Sequence, residues 1–196
     1  MTEPEVRRPV PPTGTQHVIA AHGYRAVVTE VGAGLRALTF RDRPLVMSYP
    51  EGKPPVGGAG QLLLPWPNRV RNGRYDADGE TRQLAITEPR TGNAAHGFTR
   101  LLPWTVLGAA GGRVRARLRT ADGSRSVELW GGPGIEWLQV FTGDTLAAPY
   151  RRSGVAVEPM SCPPNAFATG ECLLRLAPGE RAAHRWGITA LPAAGA

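Results

Sequence analysis

The sequence has 196 residues, 41% of them hydrophobic, which is enough for one folded domain with a core and excludes wholesale disorder. Glycine and proline together number 44 (25 plus 19), a density that interrupts long helices and suits short strands joined by turns. The formal net charge is +7, but the arginines are scattered along the chain, which is typical of a solvated surface and argues against nucleic-acid binding.

The two cysteines, Cys162 and Cys172, fit no zinc-site spacing and are too few for a disulfide scaffold. The N-terminal segment lacks the apolar core of a signal peptide, and no apolar run is long enough to span a bilayer. We therefore expect a cytoplasmic protein with free thiols and no membrane partner.

Taken in chain order, residues 1–16 predict a flexible Pro-rich lead, and residues 17–196 predict a single all-β domain. Period-two and β-branched runs separated by turn residues indicate short strands. Residues 48–68, rich in proline and glycine, predict a long ordered loop, and no segment has the periodicity of a ten-residue helix. The predicted strands are residues 17–21, 24–31, 35–40, 44–47, 74–76, 81–86, 104–107, 114–118, 126–130, 135–141, 154–158, 171–176 and 181–189.

The first segment with unusual chemistry is residues 57–79, GGAGQLLLPWPNRVRNGRYDADG. Its glycines do not indicate a phosphate-binding loop, because Pro65 and Pro67 prevent the helix that such a loop needs directly afterwards. Trp66 could instead pack on the C–H face of a sugar ring while Asn68 and Arg69 donate to its hydroxyls. The alternative is a structural loop with a buried tryptophan.

The second and third segments contain the candidate acid and base. In NAAHGFTR, His96 precedes a glycine in a tight turn, where an imidazole could exchange protons near neutral pH. In VAVEPMSCPPNAF, Glu158 ends an apolar strand and Pro159 keeps it extended, so burial would raise the pKa of this carboxyl toward that of a useful base. The alternatives are a structural histidine and a solvated turn glutamate.

Five pieces of the sequence occur together in a recognisable order: GAGLRALTFRDRPLV, PWPNRVRNGRYDADGETRQL, AAHGFTRLLPW, LQVFTG, and AVEPMSCPPNAF followed by LAPGE. In this order they resemble the aldose 1-epimerase (galactose mutarotase) family over nearly the whole chain after the lead. The resemblance implies a large antiparallel β-sandwich that binds a monosaccharide, such as a galactose-like or glucose-like aldose, without a metal or an organic cofactor.

The resemblance also implies an isomerase mechanism. A glutamate takes the proton of the C1 hydroxyl while a histidine protonates the ring oxygen, the ring opens, and it recloses on the other face. By motif, Glu158 corresponds to the base, His96 to the first of two active-site histidines, and Arg69 to the arginine that binds substrate hydroxyls.

The chain departs from the family at mid-domain. The second histidine, the usual proton donor, has no counterpart, because His17 and His22 lie too early and His184 too late. The substrate-binding aspartate also has no match, and Asp144 lies in the wrong motif. We expect an internal deletion near residues 121–126, where the middle strands of the family's domain are absent.

Three readings follow from this departure. The chain is an aldose 1-epimerase with reduced activity, a non-catalytic carbohydrate-binding module, or a decayed reading frame that folds poorly. Action on a sugar phosphate is a variant of the first, although Arg151 and Arg152, the one arginine pair considered for an anion, are better explained as surface charge.

Overall fold

The computed structural model describes residues 10–104, 114–119 and 126–192. Within them the chain is all-β, as predicted, with antiparallel pairing in every sheet and one short α-helix, α1 (Ala166–Thr169). The strands are β1 (Gln16–Ala21), β2 (Tyr24–Thr29), β3 (Leu35–Phe40), β4 (Arg43–Pro44), β5 (Arg69–Val70), β6 (Arg74–Ala77), β7 (Glu80–Gln83), β8 (Ala94–Ala95), β9 (Val114–Arg119), β10 (Ser126–Gly131), β11 (Trp137–Phe141), β12 (Ala156–Met160) and β13 (Trp186–Leu191).

The described residues fall into two compact units, where the sequence predicts a single domain over residues 17–196. The first unit comprises the described residues of Met1–Leu62 and Thr99–Thr105, and the second those of Leu63–Phe98 and Val106–Ala196. The predicted deletion junction near residues 121–126 lies almost wholly outside the described residues.

The first unit is built on a four-stranded sheet in the order β1-β2-β3-β4. Part of the predicted flexible lead is packed against it: Thr13 is buried, its carbonyl accepts a hydrogen bond from Val31 N at 3.0 Å, and Gln16 already belongs to β1. Residues 1–9 of that lead lie outside the described residues. The predicted long loop is confirmed, since residues 48–68 contain one 3-10 turn, Val56–Gly58, and no strand.

The second unit contains a three-stranded sheet in the order β13-β10-β9 and three two-stranded sheets, β11-β12, β5-β8 and β6-β7. Short 3-10 turns occur at Arg71–Gly73 in this unit and at Thr99–Leu101 in the first. In the described part of the chain, no helix has the length and apolarity needed to cross a membrane.

Two strand predictions are wrong. Residues 171–176 form no strand, and the side chains of Leu174 and Leu176 are half-exposed, so this apolar run lacks the partner strand that its pattern requires. The predicted strand at 44–47 overlaps β4 only at Pro44, although Leu45 N still donates to Leu38 O of β3 at 2.9 Å. Trp104 lies outside every strand, and residues 105–107 lie outside the described residues.

The core of the second unit corrects one of the candidate site residues. Trp66 is only 3% exposed and clusters with Val70 and Ala94. Its ring lies edge-on to Phe98 at a centroid distance of 4.8 Å and tilted against Phe167 at 5.4 Å. The prediction that Trp66 offers its face to a sugar is therefore wrong, because the residue is buried in the core.

This burial gives the first testable prediction. We expect Trp66→Ala to lower the free energy of unfolding by about 3–5 kcal/mol, the usual cost of deleting a buried tryptophan. Phe98→Ala is the matched control, because Phe98 is more than half exposed. Urea unfolding measures both; a cost for Trp66→Ala no larger than for Phe98→Ala contradicts the core assignment.

Candidate functional site

A short antiparallel strand pair brings Asn68, Arg69 and His96 together. In the β5-β8 pair, Arg69 lies opposite Ala95 and Val70 lies opposite Ala94. Just beyond the pair, His96 N donates a hydrogen bond to Asn68 O at 2.8 Å. The structure therefore joins two segments that the sequence predicts separately as a sugar-binding loop and a proton-transfer turn.

The two residues at this end of the pair have unusual backbones. Asn68 has a φ of 53° and His96 a φ of 62°, both in the left-handed region. Such conformations cost about 1–3 kcal/mol in a non-glycine residue and persist where the surrounding structure imposes them. Here Val70 and Ala94, both essentially fully buried, anchor the pair.

Gly97 explains why a glycine follows the histidine. Its φ is 62°, and a Cβ placed on it would lie 1.9 Å from Leu64 O. The next residue, Phe98, donates its N–H to the same Leu64 oxygen at 2.7 Å. The backbone of the histidine turn thus presses directly on the tryptophan loop, and only glycine leaves room for it.

Arg69 is held by a glutamate that the sequence interpretation missed. Arg69 Nε donates to Glu88 Oε2 at 2.6 Å, and Arg69 Nη2 donates to Glu88 Oε1 at 2.8 Å. Arg69 Nη1 lies 3.4 Å from Asn68 Oδ1. The bidentate pair lowers the pKa of Glu88 to about 2, with smaller contributions from Thr91 and from the charge of His96, and it raises the pKa of Arg69.

The late motif reaches Arg69 through Asn165. Asn165 N donates to Arg69 O at 3.0 Å, and Asn165 Oδ1 accepts the N–H of Arg71 at 2.9 Å. Asn165 is itself left-handed, with a φ of 69°, at the start of α1. The segment that contains Glu158 is therefore fastened to the backbone of the arginine loop.

Glu158 lies in the middle of β12, opposite Gln139 of β11, rather than at the strand end that the sequence predicts. It is partly buried, and burial raises the pKa of its carboxyl, while the positive charge of Arg69 opposes this increase. Glu158 in turn contributes to the raised pKa of Arg69. The carboxyl is thus partly desolvated, and its charge interacts with that of Arg69.

Asn68, Arg69 and His96 thus adjoin one another at the β5-β8 pair, and the Glu158 carboxyl interacts with Arg69 through its charge. Other candidates are used differently. Asp144 accepts hydrogen bonds from Thr142 and Arg152, and exposed His184 lies against Gly134. Among the residues that the structure describes, no three His, Cys, Asp or Glu side chains come together as a metal site.

The chain is similar to proteins of a known family. The model of the aldose 1-epimerase family matches residues 15–133, more than half of the chain. This match includes Asn68, Arg69, Glu88 and His96 and ends before Glu158.

One relative and two solved structures illustrate the similarity. The uncharacterized protein YihR of Escherichia coli K12 is 39% identical over 88 residues, which are 45% of this chain and 29% of YihR. The chain thus spans less than a third of that curated relative. An E. coli K12 protein provisionally assigned as an aldose 1-epimerase superposes with a TM-score of 0.53 at 12% identity, covering 90% of this chain and 99% of that one. Galactose 1-epimerase from Lactobacillus acidophilus gives 0.41 at 20% identity, over 59% of this chain and 38% of that one.

The close approach at Gly97 predicts a selective backbone effect. We expect Gly97→Ala to destabilise the protein by more than Gly92→Ala, for which about 1 kcal/mol is expected. Gly92 also has a left-handed φ, 69°, but a Cβ there meets nothing within 4 Å. Chemical unfolding of both variants compares the clash with the conformational cost alone; equal losses would show that the Leu64 contact yields at no cost.

The raised pKa of Glu158 predicts a pH-dependent stability. Because the folded pKa lies above the unfolded value of 4.5, its contribution to stability is present below that value and is lost as pH rises through the folded pKa. We therefore expect Glu158→Gln to raise the melting temperature near neutral pH and to have little effect below about pH 4. The control is Glu136→Gln, at an exposed glutamate. Thermal melts across this range that show the same shift at both ends contradict the prediction.

Proposed function

The chain belongs to the aldose 1-epimerase family, and we propose that it interconverts the α and β anomers of a free aldohexose by acid–base ring opening. The supporting observation concerns Glu158. Burial raises the pKa of its carboxyl, and its charge interacts with that of Arg69. Arg69 in turn belongs to the loop that pairs with the His96 turn.

In the proposed reaction, the ionised carboxylate of Glu158 accepts the proton of the C1 hydroxyl. The bond between C1 and the ring oxygen breaks as the C1 carbonyl forms, and His96 or a water molecule protonates the ring oxygen. After rotation about the C1–C2 bond, reclosure returns both protons to their donors. Atoms and electrons balance without a cofactor, which is why acid and base groups suffice for this reaction.

The hydrogen-bonding groups beside this base suit hydroxyls. A guanidinium has five N–H donors; Arg69 uses two on Glu88 and one on Asn68, which leaves two (5 − 3) for a ligand. Because Asn68 Oδ1 accepts from Arg69, the amide nitrogen of Asn68 is the group available to donate. Arg69 and Asn68 therefore fit the proposed role in orienting the sugar, whereas Trp66 acts only through the core.

The second candidate is a carbohydrate-binding module without catalysis. The observation that favours it is the absence from the sequence of a counterpart to the family's second histidine and aspartate. A missing general acid removes a contribution usually worth about 10²–10⁴ in rate. Under this alternative, Arg69, Asn68 and His96 would recognise a hexose without opening its ring.

Polarimetry of freshly dissolved α-galactose and α-glucose tests the enzyme proposal. We expect a rate above the buffer blank that falls as pH decreases through a pKa above 4.5, because Glu158 must be ionised. Glu158→Gln should reduce the rate to the blank, and His96→Gln should reduce it by up to about 10²–10⁴. Glu136→Gln should retain the full rate.

Three results would decide against parts of this proposal. A folded sample that does not exceed the blank removes the enzyme claim, and hexose binding in the same sample then supports the non-catalytic module. Full activity in Glu158→Gln shows that another group is the base. Neither catalysis nor binding with common hexoses contradicts both candidates.

A further inference from the structure

Glu88 makes more contacts at the candidate site than its place in the sequence suggests. Besides its two hydrogen bonds from Arg69, its Oε2 accepts a third from Thr91 Oγ1 at 2.8 Å. Its backbone is fixed by an antiparallel bridge to Asn93, with N to O distances of 3.0 and 3.4 Å. The carboxylate is therefore held from its own turn before it meets the arginine.

Two carboxylates interact with Arg69, and the charge of a histidine acts on one of them. Glu88 is bonded to the guanidinium, Glu158 interacts with it electrostatically, and the charge of His96 acts on Glu88. A guanidinium shared between two carboxylates stabilises each less than it would stabilise one alone. The partner that holds it in bidentate geometry, Glu88, takes the larger part of this interaction.

We propose that Glu88 is a positioning residue: its two hydrogen bonds hold the guanidinium of Arg69 and keep that cation from pairing closely with the carboxylate of Glu158. This inference rests on the proposed function, in which Glu158 must remain an available base. Without Glu88, the arginine would pair with Glu158 and occupy the oxygen atoms that must accept the substrate proton.

Stability alone does not account for this ion pair. The side chains of Arg69 and Glu88 are 43% and 31% exposed, and ion pairs at such exposed sites contribute little to stability. The same unit supplies a comparison, the Glu80–Arg82 pair, in which a single N–H donates at 3.1 Å and the glutamate is 73% exposed. Of these two ion pairs, the Arg69–Glu88 pair is the one that contains a residue, Arg69, whose charge also interacts with Glu158.

The test follows the carboxyl carbon of Glu158 by NMR during a pH titration of the full chain. Glu88→Gln should move the titration midpoint of Glu158 to lower pH, because the released Arg69 then stabilises its carboxylate. Glu80→Gln, the matched control, should leave the midpoint unchanged. Arg69→Met should move it upward, because the cation that lowers the Glu158 pKa is gone.

The double variant Arg69→Met with Glu88→Gln distinguishes positioning from a general structural effect. If Glu88 acts through Arg69, the midpoint of the double variant equals that of Arg69→Met alone. A midpoint in Glu88→Gln that equals the wild-type value or lies above it overturns the proposal, as does a downward shift that persists without Arg69. If Glu88→Gln does not fold, Glu88→Asp replaces it in both comparisons. This variant keeps the negative charge on a shorter side chain, so we expect a smaller downward shift of the Glu158 midpoint.

The titration is independent of the proposed function, because it needs no substrate. In polarimetry, the acid limb of the Glu88→Gln rate profile should move to lower pH by the same amount as the NMR midpoint. If the NMR midpoint shifts but the mutarotation rate of the protein does not exceed that of the buffer blank, only the enzyme proposal is contradicted. If the wild-type protein is active and Glu88→Gln has the same pH–rate profile, only the proposed role of Glu88 is contradicted.

Discussion

The candidate site depends on the packing of the β5-β8 pair, which is only two residues long on each side. Two residues provide too few backbone hydrogen bonds to be stable alone, so burial must hold them together. Val70 and Ala94 lie opposite each other with 1% and 0% exposure, and Trp66 packs on them. Because Arg69 and His96 adjoin these buried residues in sequence, their positions follow from the packing.

Under the proposed function, two carboxylates compete for the charge of Arg69. Burial raises the pKa of Glu158, and a closely paired arginine would cancel that effect by stabilising the carboxylate. The guanidinium instead makes its two short hydrogen bonds to Glu88, whose pKa falls to about 2. The structure therefore combines a strongly acidic carboxyl and a weakly acidic one around a single cation.

Family membership and geometry support different parts of the site. The family match covers Asn68, Arg69 and His96 but ends at residue 133, so Glu158 is supported by its motif and by its interaction with Arg69. Asn165 strengthens this link, because it joins the Glu158 segment to the backbone of Arg69 and Arg71. Under the proposed function, His96 is the one histidine available as the acid, since the sequence has no second one in the expected motif.

The sequence by itself determined the all-β class, most strand positions in the first unit, the long loop and the family, because alternating residues, turn chemistry and motifs are local properties. It also predicted Arg69, His96 and Glu158 as site residues, since each belongs to a recognisable motif. Its prediction that Trp66 packs on a sugar was wrong, and it gave no sign of Glu88, which lies in an ordinary Glu-Pro turn. Tertiary structure alone decided these points, because Glu88 meets Arg69 across 19 positions and Asn165 meets Arg71 across 94. Such pairings depend on how the strands fold back on one another, and residue patterns within a strand do not specify them.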